Sequence, residues 1–138
     1  MITRMDRYVG NVVNLIEKLN LSNDTIVIFS SDNGTTHLKL EVDYDFFDSV
    51  GNLRGLKGSL YEGGIRVPLI VKWPNKIKVA EVSNQMTGFE DWMVTLHDLI
   101  GAQAPITHKH DGHNLAPYLR NESKPYRPHL YREFSGYG

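Results

Sequence analysis

Two apolar runs constrain this chain more than any other feature. Residues 25–30 read T-I-V-I-F-S, and residues 67–73 read V-P-L-I-V-K-W. The first run has no polar alternation, so it fits a strand covered on both faces, as in a parallel sheet. The second is expected to be another buried strand, with Pro68 near its start and Pro74-Asn75 at its end. Each run adjoins a motif rich in chemistry. The first continues into S-D-N-G, and the second follows K-G-S-L-Y-E-G-G-I-R.

Helical periodicity surrounds the strands. Ile2, Met5, Val9, Val12, Val13, Ile16 and Leu19 recur at three- and four-residue spacing, which predicts a helix with one buried face that ends near Asn20. Ser22, Asn23 and Asp24 form a turn before the first strand. A helix, a short turn and a buried strand make half of a βαβ unit. Phe89, Trp92, Met93, Leu96 and Ile100 predict a second amphipathic helix, stopped by Gly101. Asn114 can cap a short helix, L-A-P-Y-L-R, with Pro117 in its first turn. Residues 125–128 read as extended, and residues 130–134 as a final strand. Residues 35–53 have no steady period and read as a long loop with one helical turn, of the length that functional lids have. The expected fold class is therefore α/β: a mostly parallel sheet flanked by helices.

Length and composition set the outer bounds. A chain of 138 residues, 41% hydrophobic and 22% charged, is one domain's worth of globular protein. Its net charge of -1 gives no electrostatic reason to bind nucleic acid or an acidic membrane. No apolar stretch approaches the length of a membrane span. The absence of cysteine removes disulfides, thiolate metal sites and cysteine nucleophiles. The first residues are amphipathic helix rather than a signal peptide.

The two motifs hold the candidate site. Asp32 and Asn33 place two hard oxygen donors at the end of a buried strand, a donor set that suits a divalent cation. Asp-Asn-Gly is also a common turn that closes a strand, so the motif alone leaves both readings open. Lys57, between Gly55 and Gly58, lies where backbone can approach an anion closely, although a lysine is by default a surface residue. Glu62 and Arg66, four apart across Gly63-Gly64, can pair with each other or brace the turn. His37 follows the first motif closely enough to reach a bound substrate, and is otherwise a solvated loop residue. His108, His110, Asp111 and His113 do not have the spacing of a standard zinc site and read as a loop. His97 belongs to the second amphipathic helix, in a packing or surface role.

These residues carry a family resemblance over nearly the whole chain. The segments N-D-T-I-V-I-F-S-S-D-N-G and N-L-R-G-L-K-G-S-L-Y-E-G-G-I-R-V-P-L-I-V-K-W-P resemble two signatures of the sulfatase (arylsulfatase-like) family, within the alkaline-phosphatase-like superfamily. D-W-M-V-T-L-H-D-L-I-G and D-G-H-N-L-A-P-Y-L are similar to two later family segments, with Val94 where the family commonly has proline. The resemblance implies a sulfuric ester hydrolase that uses a formylglycine nucleophile and a calcium ion. It implies metal ligation by Asp32 and Asn33 and sulfate contact by Lys57. It also implies an aryl sulfate or sulfated glycan as substrate, and a periplasmic, secreted or lysosomal setting.

The chain departs from the family in one important respect. It has no cysteine, and none of its serines lies in a Ser-x-Pro-x-Arg context, so the formylglycine and an acidic metal-binding pair are expected upstream. The expectation is thus a C-terminal portion of a catalytic domain, spanning residues 1–138, inactive alone and prone to self-association through its strand edges. Two alternatives stay open. One is a phosphatase or phosphodiesterase of the same superfamily, against which K-G-x-x-x-E-G-G argues. The other is a non-catalytic module that binds an anion or a partner through residues 35–53, where Tyr44, Phe46 and Phe47 can stack on a sugar or aryl group.

Overall fold

The computed structural model describes residues 1–38, 40, 42–122 and 127–134. It divides into two compact units. One comprises Met1–Ile26 and Trp73–Leu130, and the other Val27–Lys72 with the described residues from Tyr131 onward.

The first unit opens with α1, Ile2–Lys18. Its C-terminus is closed by Asn20 in the left-handed region, φ 57°. The Asn20 and Leu21 amides return to the carbonyls of Glu17 and Ile16, which satisfies two otherwise orphaned acceptors. The periodicity predicted the helix correctly, but not its burial. Ile2, Met5, Tyr8, Val12, Leu15 and Leu19 form an exposed stripe, because no other helix or strand among the described residues lies along it. A 3-10 turn at Ser22–Asp24 follows. Asn23 ties this turn to the segment after the second apolar run, taking Trp73 Nε1–H on its carbonyl at 3.1 Å and the Asn75 amide on its Oδ1 at 2.8 Å.

The core of this unit lies around α4, Asp91–Leu99, and α5, Ala116–Leu119. Val94, Leu115 and Ala116 are buried there. The buried face of α4 is Asp91, Val94 and Thr95, whereas the expected face leaves Phe89, Met93 and Ile100 exposed. Polar chemistry explains the rotation. Arg127 donates to both oxygens of the fully buried Asp91 carboxylate, at 2.7 and 3.1 Å. The same carboxylate accepts the Gly88 and His113 amides, each at 2.8 Å. Thr95 Oγ1 donates to the Asp91 carbonyl at 2.6 Å and accepts the Leu115 amide at 2.9 Å. A carboxylate with four donors is satisfied without water, so this face can be buried.

Gly101, φ 65°, ends α4 as expected, with its own amide and that of Ala102 on the carbonyls of Asp98 and His97. Asn114 accepts the Ala116 amide on Oδ1, and Pro117 lies in the first turn of α5. No strand forms across residues 127–134, which correct the expected final strand among the described residues; Pro125 and Tyr126 lie outside them.

The second unit contains the sheet. β1, Val27–Ser30, pairs with β2, Leu69–Lys72, in the register Val27 to Lys72 through Ser30 to Leu69. The pairing is antiparallel, which corrects the expected parallel neighbour for this pair, and both strands are half-buried to exposed. Large α/β sheets commonly carry an antiparallel strand, so the pair is compatible with the α/β class. Pro68 directly precedes β2, where its missing N–H costs no ladder bond. Between the strands lie α2, Tyr44–Phe47, the single helical turn anticipated in the long loop, and α3, Glu62–Ile65.

Two outcomes test the energetics of the first unit. Arg127→Ala strands a buried carboxylate and should cost about 3–5 kcal/mol, read as a lower urea midpoint. Hydrogen bonds from Arg120 (2.8 Å) and Asn114 (2.6 Å) hold the Asp98 carboxyl below its ordinary 3.8. Its contribution is therefore present above the unfolded value and lost as pH falls through the depressed folded one. Thermal unfolding of Asp98→Asn should show a lower melting temperature than the parent at pH 7, with the difference shrinking below pH 3.8.

Candidate functional site

The two chemical motifs are locked together by backbone. The Gly34 amide donates to the Gly64 carbonyl at 2.8 Å, the Lys57 amide to the Thr35 carbonyl at 2.8 Å, and the Gly63 amide to the Arg54 carbonyl at 2.8 Å. Glycine is required because the chains nearly touch. A Cβ on Gly34 would stand 2.0 Å from the Gly63 carbonyl oxygen, and one on Gly63 would stand 2.0 Å from that of Gly55. A Cβ on Gly64 would meet the Ser59 and Leu56 carbonyl oxygens at 2.4 and 2.5 Å. Gly55 also has φ 84°, a region that L side chains rarely adopt. Four glycines thus let the strand-end turn at residues 31–35 seat against the turns at residues 54–59 and 61–64.

Within this lock, Ser31 Oγ donates to the Asn33 carbonyl at 3.1 Å and shapes the strand-end turn. Asp32 is exposed and Asn33 half-buried. Among the described residues, no hydrogen bond or ion pair engages the Asp32 carboxylate or the Asn33 side-chain amide, so their oxygens remain available to a cation. Lys57 is exposed, and its backbone is held to Thr35, three residues beyond Asp32. His37 is tied in as well: its Nδ1 lies 3.1 Å from the Lys57 carbonyl oxygen. A carbonyl can only accept, so the ring donates Nδ1–H in this bond. All four predicted residues therefore stand on segments joined by direct hydrogen bonds.

Glu62 and Arg66 form the anticipated pair at 2.9 Å, with both side chains mostly exposed. They brace α3, since the Arg66 amide also returns to the Glu62 carbonyl. Sequence reasoning missed two participants. Arg54 lies over the Tyr61 ring, 3.8 Å from its centroid, and so couples the two ends of the glycine-rich turn. Ser59 Oγ is buried beside Gly55 and Gly64 with no hydrogen-bond partner among the described residues. The signal for Arg54 was its place directly before Gly55; nothing in the sequence marked Ser59.

The histidine-bearing loop belongs to the other unit. His113 and Asp111 use backbone atoms to serve Asp91 and Arg127. His97 Nε2 donates to the Ala104 carbonyl at 2.5 Å. A depression of about 520 Å³ lies here, lined by His97, Asp98, Gln103, His110 and Asn114 among others. Its carboxylate is occupied by Arg120 and Asn114. Among the described residues no group of three or more His, Cys, Asp or Glu side chains is placed to hold a metal ion.

Residues 1–102 match the family model described as Sulfatase. The chain belongs to the sulfatase family. Among its relatives, the steryl-sulfatase of Homo sapiens is 35% identical over 124 residues, covering 89% of this chain and 21% of the relative. The N-acetylgalactosamine-6-sulfatase of Mus musculus is 31% identical over 130 residues, covering 94% of this chain and 24% of the relative. The crystal structure of Ps i-CgsB in complex with k-i-k-neocarrahexaose superposes with a TM-score of 0.73 at 28% identity, covering 88% of this chain and 26% of that one. The chain thus spans about a fifth to a quarter of the length of these relatives, and its fold is the α/β fold of sulfatases.

The lock makes two outcomes checkable. Gly63→Ala should abolish hydrogen-exchange protection of the Gly34 and Lys57 amides, whereas Gly10→Ala, with open space around it in α1, should stabilise by about 0.5–1 kcal/mol. Ser59→Ala removes an unpaired buried hydroxyl and should leave the denaturation midpoint unchanged or raised.

Proposed function

We propose that this chain supplies the cation-binding and sulfate-binding half of an active site that hydrolyses sulfate esters. The observation that supports the reading is the backbone lock, which joins the segments that carry Asp32, Asn33 and Lys57. The sulfatase relatives named above support the reaction class.

Asp32 and Asn33 would hold a calcium ion. The donor set fits: one carboxylate and one amide oxygen, both hard ligands, neither engaged by a hydrogen bond or ion pair among the described residues. Calcium takes six to eight oxygens, so these two form part of a site rather than a whole one. When bound, the ion would offset negative charge on the sulfate oxygens.

The remaining work falls to this chain's own residues. The Lys57 ammonium pairs with a non-bridging sulfate oxygen and holds the ester in place while charge builds on it. The Lys57–Thr35 bond holds the backbone from which that exposed side chain extends. His37, with Nδ1–H held by the Lys57 carbonyl, presents Nε2 to the ester side of the substrate and can hold or release a proton there. The nucleophile is a formylglycine supplied by residues outside this sequence, which has neither cysteine nor a Ser-x-Pro-x-Arg segment.

In a complete enzyme carrying this segment, Lys57→Ala should lower kcat/KM for an aryl sulfate by roughly 10²–10³, while Arg66→Ala should leave it within severalfold. Calcium binding, followed by calorimetry, should be lost in Asp32→Ala and retained in Lys57→Ala. The isolated 138-residue chain should show no turnover. Wild-type activity in Lys57→Ala, or hydrolysis by the isolated chain, would refute the assignment.

A further inference from the structure

The strand-end turn carries the chain's only asparagine followed by glycine, Asn33-Gly34. In such a pair the glycine nitrogen can attack the asparagine side-chain carbonyl carbon, because no Cβ on the glycine stands in the way. The Asn33 side chain is free to take part. Its amide has no hydrogen bond or ion pair among the described residues, so nothing holds its carbonyl carbon away from that nitrogen. Nor can a shielding residue replace the glycine. A Cβ at position 34 would stand 2.0 Å from the Gly63 carbonyl oxygen and 3.0 Å from the Gly64 Cα. The packing that seats the turn therefore demands the one residue type that leaves the nitrogen open.

The same packing restrains that nitrogen. The Gly34 N–H is committed to the Gly64 carbonyl at 2.8 Å, and the Asn33 carbonyl accepts Ser31 Oγ at 3.1 Å. Both polar ends of the peptide group between Asn33 and Gly34 are thus held. The next residue is held as well, since the Thr35 carbonyl takes the Lys57 amide at 2.8 Å. Asn33, Gly34 and Thr35 are each half-buried. Attack requires the Gly34 nitrogen to give up its proton and its peptide plane to turn toward the Asn33 side chain. Both changes break the bond to Gly64, and a half-buried donor and acceptor resist losing each other.

We propose that Asn33 is a deamidation site gated by the Gly34–Gly64 hydrogen bond. When that bond opens, the Gly34 nitrogen bonds to Asn33 Cγ and the Cγ–Nδ2 bond breaks. Ammonia leaves with the proton from the glycine nitrogen, and a succinimide ring is closed. Water then adds to either ring carbonyl and splits its bond to nitrogen, which leaves aspartate or isoaspartate at position 33. Aspartate adds a negative charge directly after Asp32. Isoaspartate lengthens the main chain by one methylene and shifts Gly34 out of register with Gly64, so the lock does not reclose. The gate does not depend on the sulfate reading; it follows from the main-chain bonds alone.

Ageing the 138-residue chain at neutral pH beside a synthetic peptide of residues 29–38 tests this. Conversion at position 33 is followed by mass spectrometry of proteolytic peptides, and hydrogen exchange at the Gly34 amide is measured in parallel. The free peptide should deamidate roughly tenfold or more faster than the chain, and the slowing in the chain should match the protection of the Gly34 amide within about tenfold. Gly63→Ala, which opens the lock, should bring the chain's rate close to that of the peptide. Where that variant loses its native amide spectrum, low urea on the parent chain takes its place, and deamidation should rise in step with exchange at Gly34. Equal rates in chain and peptide would overturn the gate. So would a Gly34 amide set free to exchange, by mutation or by urea, with no faster loss of Asn33.

Discussion

The close approach of Gly34 to Gly63 and Gly64 is the contact on which the second unit depends. Two backbone bonds of 2.8 Å, from Gly34 to Gly64 and from Lys57 to Thr35, cross between segments far apart in sequence, and a Cβ on Gly34 would collide with the Gly63 carbonyl. The strand β1 delivers its terminal carboxylate to a fixed place only because the turn after it is seated. The lysine lies on the facing turn only because its amide reaches Thr35. Position at this site is therefore a property of the main chain, and the side chains inherit it.

The first unit reaches order by a different route. Its centre is ionic, with a carboxylate that accepts from two backbone amides and from a guanidinium while fully shielded from water. Few aliphatic side chains are buried around it. A core of this kind gains orientation from directional bonds more than from apolar area, since a satisfied network admits few alternative packings. Loss of one partner is correspondingly severe, because the remaining charge has no water to turn to.

What the sequence made legible followed from local rules. Apolar spacing marked α1 and α4, Pro68 and Pro74 bracketed β2, and Gly101 and Asn114 marked a helix stop and a helix start. Asp32, Asn33 and Lys57 stood out because they lie in two short motifs, and His37 because it follows the first of them; the structure joins the segments that carry them. What stayed hidden was long-range or counter-intuitive. The antiparallel partner of β1 lies some forty residues away, and a run of apolar residues does not encode strand direction. The buried face of α4 was misassigned because Asp91 reads as a surface residue until Arg127, 36 positions on, is known to reach it. The α1 stripe was recognised as apolar, yet periodicity reports what a face can bury and not whether anything covers it.

The clamped ends of the segment joining the two motifs have an evolutionary corollary. Closing a flexible stretch costs more only slowly as it lengthens, about 0.6 kcal/mol per doubling. With Thr35, His37 and Arg54 already tied to their partners, residues can be added or exchanged between them without disturbing the donors at the strand end. Length and composition between the clamps can then vary while the strand-end turn keeps its place, because a handful of main-chain bonds separates the two.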